Sequence, residues 1–243
     1  MITKLFKLKK FRLNMKKRPK FNSEKALYAK NPVYVYRVLD PYTVKIAKIA
    51  YDIGFSADIV TLLNFILGMS AIAIMLFFRS YNSFVIAAIL IILRNIGDTI
   101  DGKIARGSGI KSSYGGFSDI VSDWIFFHPA LFIAIGLITN HVAIGFLCVI
   151  GYMSREFTRR AFERKFGAKA KETDESKKIS GIVSLVTKYD LATVFFFAPL
   201  FLLFNQLSLL IYLVAIIEYT LLLGELGFDF YCFLKKDKII NKN

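Results

Sequence analysis

Asp98, Asp101, Gly102, Ala105, Arg106, Gly115, Asp119 and Asp123 spell D-x-x-D-G-x-x-A-R, eight residues, then G-x-x-x-D-x-x-x-D. On a helix, Asp98 and Asp101 stand at i and i+3 and Asp119 and Asp123 at i and i+4. Each pair therefore leaves one face, and the two pairs can converge. Carboxylate oxygens are the hard ligands that Mg²⁺ and Mn²⁺ take, with water and substrate phosphates completing the shell. Four aspartates suffice for one or two such ions. Two ions roughly 3.5 to 4 Å apart clamp a diphosphate and stabilise a departing phosphate oxygen. Gly102 and Ala105 leave room for a bulky ligand to approach the backbone, and Gly115 does so from the opposite wall. Arg106 brings a forked, permanently charged group to a phosphate. The chemistry implied is metal-assisted phosphoryl transfer on a diphosphate.

The elements that carry these residues are apolar. Of 243 residues 55% are hydrophobic, the mean hydropathy is +0.49, and residues 59–78 form an uncharged run long enough to cross the roughly 30 Å hydrocarbon core. Further apolar stretches cover about 81–93 running into the motif, 117–137, 141–154, 191–204 and 209–234. The expectation is an all-α, polytopic membrane protein with six transmembrane helices. Carboxylates in such segments are expensive and mark function. The links at 79–83, 139–141 and 205–208 carry one basic residue, Arg79, so the positive-inside rule puts both termini and the motif in the cytosol.

Most of the net charge of +15 sits in the first thirty residues, in 155–178 and in 235–242. Orientation and attraction to anionic lipid, worth roughly 1 kcal/mol per basic side chain, account for it without nucleic acid as a partner. Lys4 to Lys20 is polybasic and no small-residue cleavage pattern follows it, so a cleavable signal peptide is not expected. Cys148 and Cys232 lie in apolar spans without metal or redox spacing. The chain divides into a basic cytosolic arm (1–39), an amphipathic interfacial helix (40–56), a six-helix membrane domain (57–235) and a basic tail (236–243). In the second of these, Asp40 is the expected N-cap and Pro41 the first helical residue. Ile46, Ile49, Ala50 and Ile53 form its apolar face, and Gly54 ends it.

The motif resembles the signature of the CDP-alcohol phosphatidyltransferases (class I): every fixed position is present, over 26 residues inside a six-span framework. The resemblance implies transfer of a phospho-alcohol group from a CDP-linked donor to an acceptor hydroxyl with release of CMP, in phospholipid synthesis. It implies Asp98, Asp101, Asp119 and Asp123 as ligands for Mg²⁺ or Mn²⁺, expected as two ions, with Asp123 also the general base. Asp101, Gly102, Ala105, Arg106 and Gly115 would form the nucleotide site, and a homodimer is expected. An alcohol needs a carboxylate within hydrogen-bond reach to take its proton, which suits that role for Asp123.

Arg155, Arg159 and Arg160 share roughly one helical face, with Arg164 and Lys165 beyond them, and suit an anionic group on the acceptor. Glycerol phosphate or inositol phosphate is accordingly the first acceptor, then serine or inositol, then diacylglycerol with a CDP-choline or CDP-ethanolamine donor. Relatives with phosphorylated acceptors often carry an arginine early in the fifth span, where this chain has Lys178 and Lys188, and Trp124 stands where a lysine would favour glycerol phosphate. Where relatives show Pro-Asn-x-x-Thr before the first span, this chain has Ala57, Asp58 and Thr61. Asp58 is then read as the N-cap of that span and Thr61 as a weak candidate for the nucleotide. Arg94, one turn before Asp98, is expected to pair with it. His128, before Pro129, is expected to satisfy a carbonyl freed by the proline. Glu218, Glu225 and Asp229 form a polar seam or a cytosolic helix end, without a catalytic role. An intramembrane aspartyl protease would leave Asp101, Asp119, Asp123 and Arg106 unexplained. An ion carrier would place its acidic residues at mid-membrane.

Overall fold

The computed structural model describes residues 18–27, 34–110, 112, 114–166 and 191–240, and every element among them is helical. In chain order these are α1 (Ser23–Ala26), α2 (Tyr34–Ile53), α3 (Ala57–Phe78), α4 (Tyr81–Ser108), α5 (Gly115–Ile120), a π-helical segment (Val121–Phe127), α6 (His128–Ile138), α7 (Val142–Phe166), α8 (Leu191–Leu203) and α9 (Leu207–Ile240). They pack as two units. One comprises the residues up to Gly68 with Ile91–Asp123, the other Met69–Leu90 with the residues from Trp124 onward.

In the first unit α2 starts at Tyr34, upstream of the expected cap, and Pro41 lies inside it. Pro41 has no N–H, so one i→i−4 bond is missing. The Thr43 hydroxyl donates to the carbonyls of Leu39 (2.9 Å) and Asp40 (3.3 Å) in the same turn. The Asp40 carboxylate does not cap at all: it is buried against Lys103 Nζ on α4 at 2.7 Å. Gly54 does end the helix. At φ +116 it closes a Schellman turn, in which Phe55 N–H reaches the Ala50 carbonyl at 2.9 Å. Val44, Ala47 and Tyr51 form the inner face of α2 and pack with Phe21, Ile100 and Ile104. Burial of a Val- or Ile-sized side chain stabilises by about 1.5–3 kcal/mol. Tyr42, Ile46, Ile49 and Ile53 recur at helical spacing on the outer face and stay exposed. The N-cap of α3 is Ser56, whose Oγ accepts from Ile59 N–H at 3.3 Å, and Asp58 lies within the helix's first turn instead.

In the second unit, α6 and α7 form a hairpin. Asn140 (φ +59) makes the turn, and His141 N–H closes it onto the Gly136 carbonyl at 2.8 Å. Gly136 and Gly145 let the two backbones meet, since a Cβ on Gly145 would lie 2.8 Å from the Phe132 carbonyl. Asn205 (φ +55) repeats the device between α8 and α9, with Gln206 N–H on the Phe201 carbonyl at 2.7 Å. His128 Nδ1 hydrogen-bonds the Tyr152 hydroxyl on α7 at 2.9 Å.

Among the described residues four helices are long and apolar enough to span a bilayer: Ala57–Phe78, Tyr81–Ser108, Gly115–Ile138 and Leu207–Tyr231. Two of the six expected spans fall short by this measure. Val142–Phe166 carries a charged stretch from Arg155 to Lys165, and Leu191–Leu203 is 13 residues long.

Candidate active site

The site belongs to the first unit and is built from α3, α4, α5 and the start of the π segment. Asp98, Asp119 and Asp123 each present a carboxylate oxygen within 4.8 Å of the others. Convergence of carboxylates from α4 and α5 is what the two spacings predict, but the trio omits Asp101. Like charges so placed repel, and Arg94 offsets part of that. Its buried guanidinium forms an ion pair with Asp123 and lies 3.8 Å from Asp98 Oδ1. The expected pairing with Asp98 is therefore the longer of two.

Asp123 sits in the π-helical segment Val121–Phe127. Such i→i+5 turns are rare and occur mostly at functional positions. Pro129 follows two residues after the segment and has no N–H for the regular ladder. Ser122, between the two acidic residues, donates its hydroxyl to the Asp119 carbonyl (3.0 Å) and to Asp123 Oδ1 (3.4 Å).

Asp101 is buried and held from α3. Its Oδ2 accepts from the Thr61 hydroxyl at 2.7 Å and from Asn64 Nδ2 at 3.4 Å, and its Oδ1 from Gly102 N–H at 2.6 Å. Thr61 thus acts on the carboxylate. Asn64 went unnoticed in the sequence, although an amide one turn beyond Thr61 inside an apolar run was a usable signal. Gly97 makes the contact possible, because a Cβ there would collide with the Asn64 amide.

Beside the carboxylates lies a cavity of about 350 Å³ that contains Thr61, Asp101, Gly102, Ala105, Arg106, Gly115 and Asp119. Arg106 folds back over its own helix. A Cβ on Gly102 would stand 3.1 Å from Arg106 Nη1, and Arg106 Nε donates to the Ala26 carbonyl at 3.3 Å. Gly115 faces Asp58, whose Oδ1 would be 3.3 Å from a Cβ at that position. Gly102 thus accommodates the arginine, and Gly115 the Asp58 carboxylate.

The arginines of the second unit separate in character. Arg155 is 1% exposed and is spent on Glu218 (3.4 Å) and Glu225 (3.2 Å), so those glutamates form a buried polar seam. Arg160 is exposed and stacks 4.1 Å over the Trp124 ring. The Arg159 side chain and the residues 167–190, with Lys178 and Lys188, lie outside the described residues, as does the Cys232 side chain.

The donor set suits a hard divalent cation: three carboxylates, oxygen only, close enough to share an ion and offset by an arginine. The neighbouring cavity adds arginine and small residues to its lining, a composition that suits a phosphate-bearing ligand. The family model for CDP-alcohol phosphatidyltransferase matches residues 55–223 of the chain. No curated protein sequence matches it.

Proposed function

Because the chain belongs to the CDP-alcohol phosphatidyltransferase family, a family of transferases for substituted phosphate groups in phospholipid synthesis, we propose that it moves a phosphatidyl-type group from a CDP-linked lipid to a small polar alcohol. The observation that carries this reading is the convergence of Asp98, Asp119 and Asp123 beside a cavity that also contains Arg106. Asp98, Asp101, Asp119 and Asp123 would hold Mg²⁺ or Mn²⁺, as one or two ions. When bound, the metal neutralises the diphosphate and stabilises the departing CMP phosphate.

The chain's own residues do the rest. Asp123 accepts the proton of the acceptor hydroxyl as its oxygen bonds to the phosphorus, and the bond from that phosphorus to the bridging oxygen breaks to release CMP. Arg94 keeps Asp123 and Asp98 oriented. Thr61 and Asn64 keep Asp101 in its rotamer, while Arg106 meets the nucleotide phosphates across Gly102 and Ala105. Gly115 leaves room on the far wall.

For the acceptor, glycerol phosphate or inositol phosphate comes first. The support is the exposed cation Arg160, with Arg159 beside it in sequence, since Arg155 is spent inside its own unit. The remaining organisation follows the same reading: six spans in a domain of residues 57–235, a basic arm, an interfacial helix, a basic tail, cytosolic termini and active site, and a homodimer. The exposed stripe Tyr42, Ile46, Ile49 and Ile53 supports the interfacial placement, where apolar side chains enter the headgroup boundary.

The test is CMP release by the detergent-purified chain from CDP-diacylglycerol with Mg²⁺ or Mn²⁺, across glycerol 3-phosphate, inositol phosphate, inositol and serine. Release with one acceptor, lost in Asp123→Asn, supports both reaction and acceptor. Release only with CDP-choline or CDP-ethanolamine and diacylglycerol would move the donor. Absence of metal-dependent CDP binding would overturn the reading.

A further inference from the structure

The cavity beside the carboxylates has a wall that the family match does not include, because Arg18 and Tyr51 both line it and the match begins at residue 55. Residues 18–27 form a strap across the end of α4. Asn22 N–H donates to the Gly107 carbonyl at 2.8 Å, and Phe21 seats its ring on Gly107, where a Cβ would collide with it. The Ala26 carbonyl accepts from Arg106 Nε, so the strap also holds one of the site's own cations.

Arg18 is anchored more firmly than an exposed arginine needs to be. Its Nη1 donates to the carbonyls of Tyr51 (3.3 Å) and Phe55 (3.4 Å), and its guanidinium lies 5.3 Å from the Tyr51 ring centroid. The Tyr51 hydroxyl in turn donates to the Pro19 carbonyl at 2.9 Å. Of the five N–H groups of a guanidinium, these bonds use only those on Nη1. The Nη2 and Nε groups have no protein partner among the described residues. Arg18 lines the cavity, and a guanidinium anchored through Nη1 keeps its Nη2 and Nε donors for a forked contact to phosphate oxygens. The cavity's acidic lining, Asp58, Asp101 and Asp119, is matched by only two arginines among the described residues, Arg18 and Arg106.

We propose that Arg18 binds the diphosphate of the CDP-linked donor opposite Arg106, and that residues 18–27 are the strap that presents it. This rests on the proposed function, since it needs a nucleoside diphosphate in the cavity. The strap makes donor binding depend on sequence outside the matched domain.

The experiment uses the full-length chain in detergent, with CDP binding in the presence of Mg²⁺, and KM for donor and acceptor measured separately. Arg18→Gln should weaken CDP and raise the donor KM roughly tenfold, the size expected on losing a charged hydrogen bond. Acceptor KM and Tm should stay near those of the unaltered chain, and Arg18→Lys should recover part of the loss. Gly107→Ala leaves the Arg18 side chain in the sequence but displaces Phe21 and with it the strap that presents Arg18, and it should reproduce the donor defect. It also decides the matter if Arg18→Gln fails to fold. CDP affinity unchanged in a folded Arg18→Gln, or in Gly107→Ala when the first variant is lost, overturns the proposal alone. A wild-type chain that binds no CDP overturns it together with the proposed function.

Discussion

The Thr61 hydroxyl donates to Asp101 Oδ2 over 2.7 Å, from α3 to α4 and across forty positions of sequence. That bond fixes the rotamer of a buried carboxylate before any ligand arrives. Partners of this kind are worth about 10–100-fold in metal affinity when removed. Thr61→Val keeps the shape and deletes the donor, so the Mg²⁺ concentration for half-maximal CMP release should rise by about that factor. An unchanged metal titration would remove Asp101 from the ligand set.

Gly97 is the close-contact point between α3 and α4 in this unit. Gly97→Ala must push the buried Asn64 amide aside and break its bond to Asp101. Overpacking of this kind costs about 1–3 kcal/mol. A lower Tm and a weaker metal response should appear together. Asn64→Ala in the Gly97→Ala background should restore Tm while leaving the metal response weak.

Metal removal should silence the enzyme reversibly. Chelation should abolish CMP release, and Mg²⁺ or Mn²⁺ should restore it. Asp123→Asn should remain inactive at any metal concentration, with a loss of at least about 10²-fold, the lower range for a general base. Activity in Asp123→Asn would transfer the base role to another carboxylate of the trio.

Arg155 and Arg160 should fail in different ways. Arg155→Met removes a buried guanidinium from its ion pairs with Glu218 and Glu225, and breaking a buried pair from one side costs about 3–5 kcal/mol, so the variant should lose Tm or aggregate. Arg160→Gln, on an exposed side chain, should keep Tm and raise the KM of a phosphorylated acceptor only. An unchanged acceptor KM in Arg160→Gln would direct the search for the acceptor site elsewhere.

The outer stripe of α2 should lie in lipid. Single cysteines at Ile46, Ile49 and Ile53, spin-labelled in vesicles, should be more accessible to oxygen than to a polar relaxant, and labels at Lys45 and Lys48 should show the reverse. Equal polar access at both sets would take the helix out of the interface.

Much of the site was legible because helical spacing carries directional information: residues at i, i+3 and i+4 share a face whatever else the chain does. That alone paired Asp98 with Asp101 and Asp119 with Asp123, and the uncharged run 59–78 placed them in a membrane protein. Gly54 as a helix end was readable for the same local reason, since only a residue without Cβ takes φ +116 easily. Relations between helices carry no such period. Nothing in the spacing says that Asp98 joins Asp119 and Asp123 while Asp101 turns to Thr61 and Asn64, or that Arg94 reaches Asp123. Asp40 was read as a cap because its local sequence suits one, and Arg155 as a contact for an anionic group on the acceptor because it shares a helical face with Arg159 and Arg160. Both are instead consumed by buried partners far along the chain, Lys103 for the first and Glu218 and Glu225 for the second. Desolvation makes those long-range pairings obligatory once the helices pack, and it acts only after packing has chosen which side chains meet.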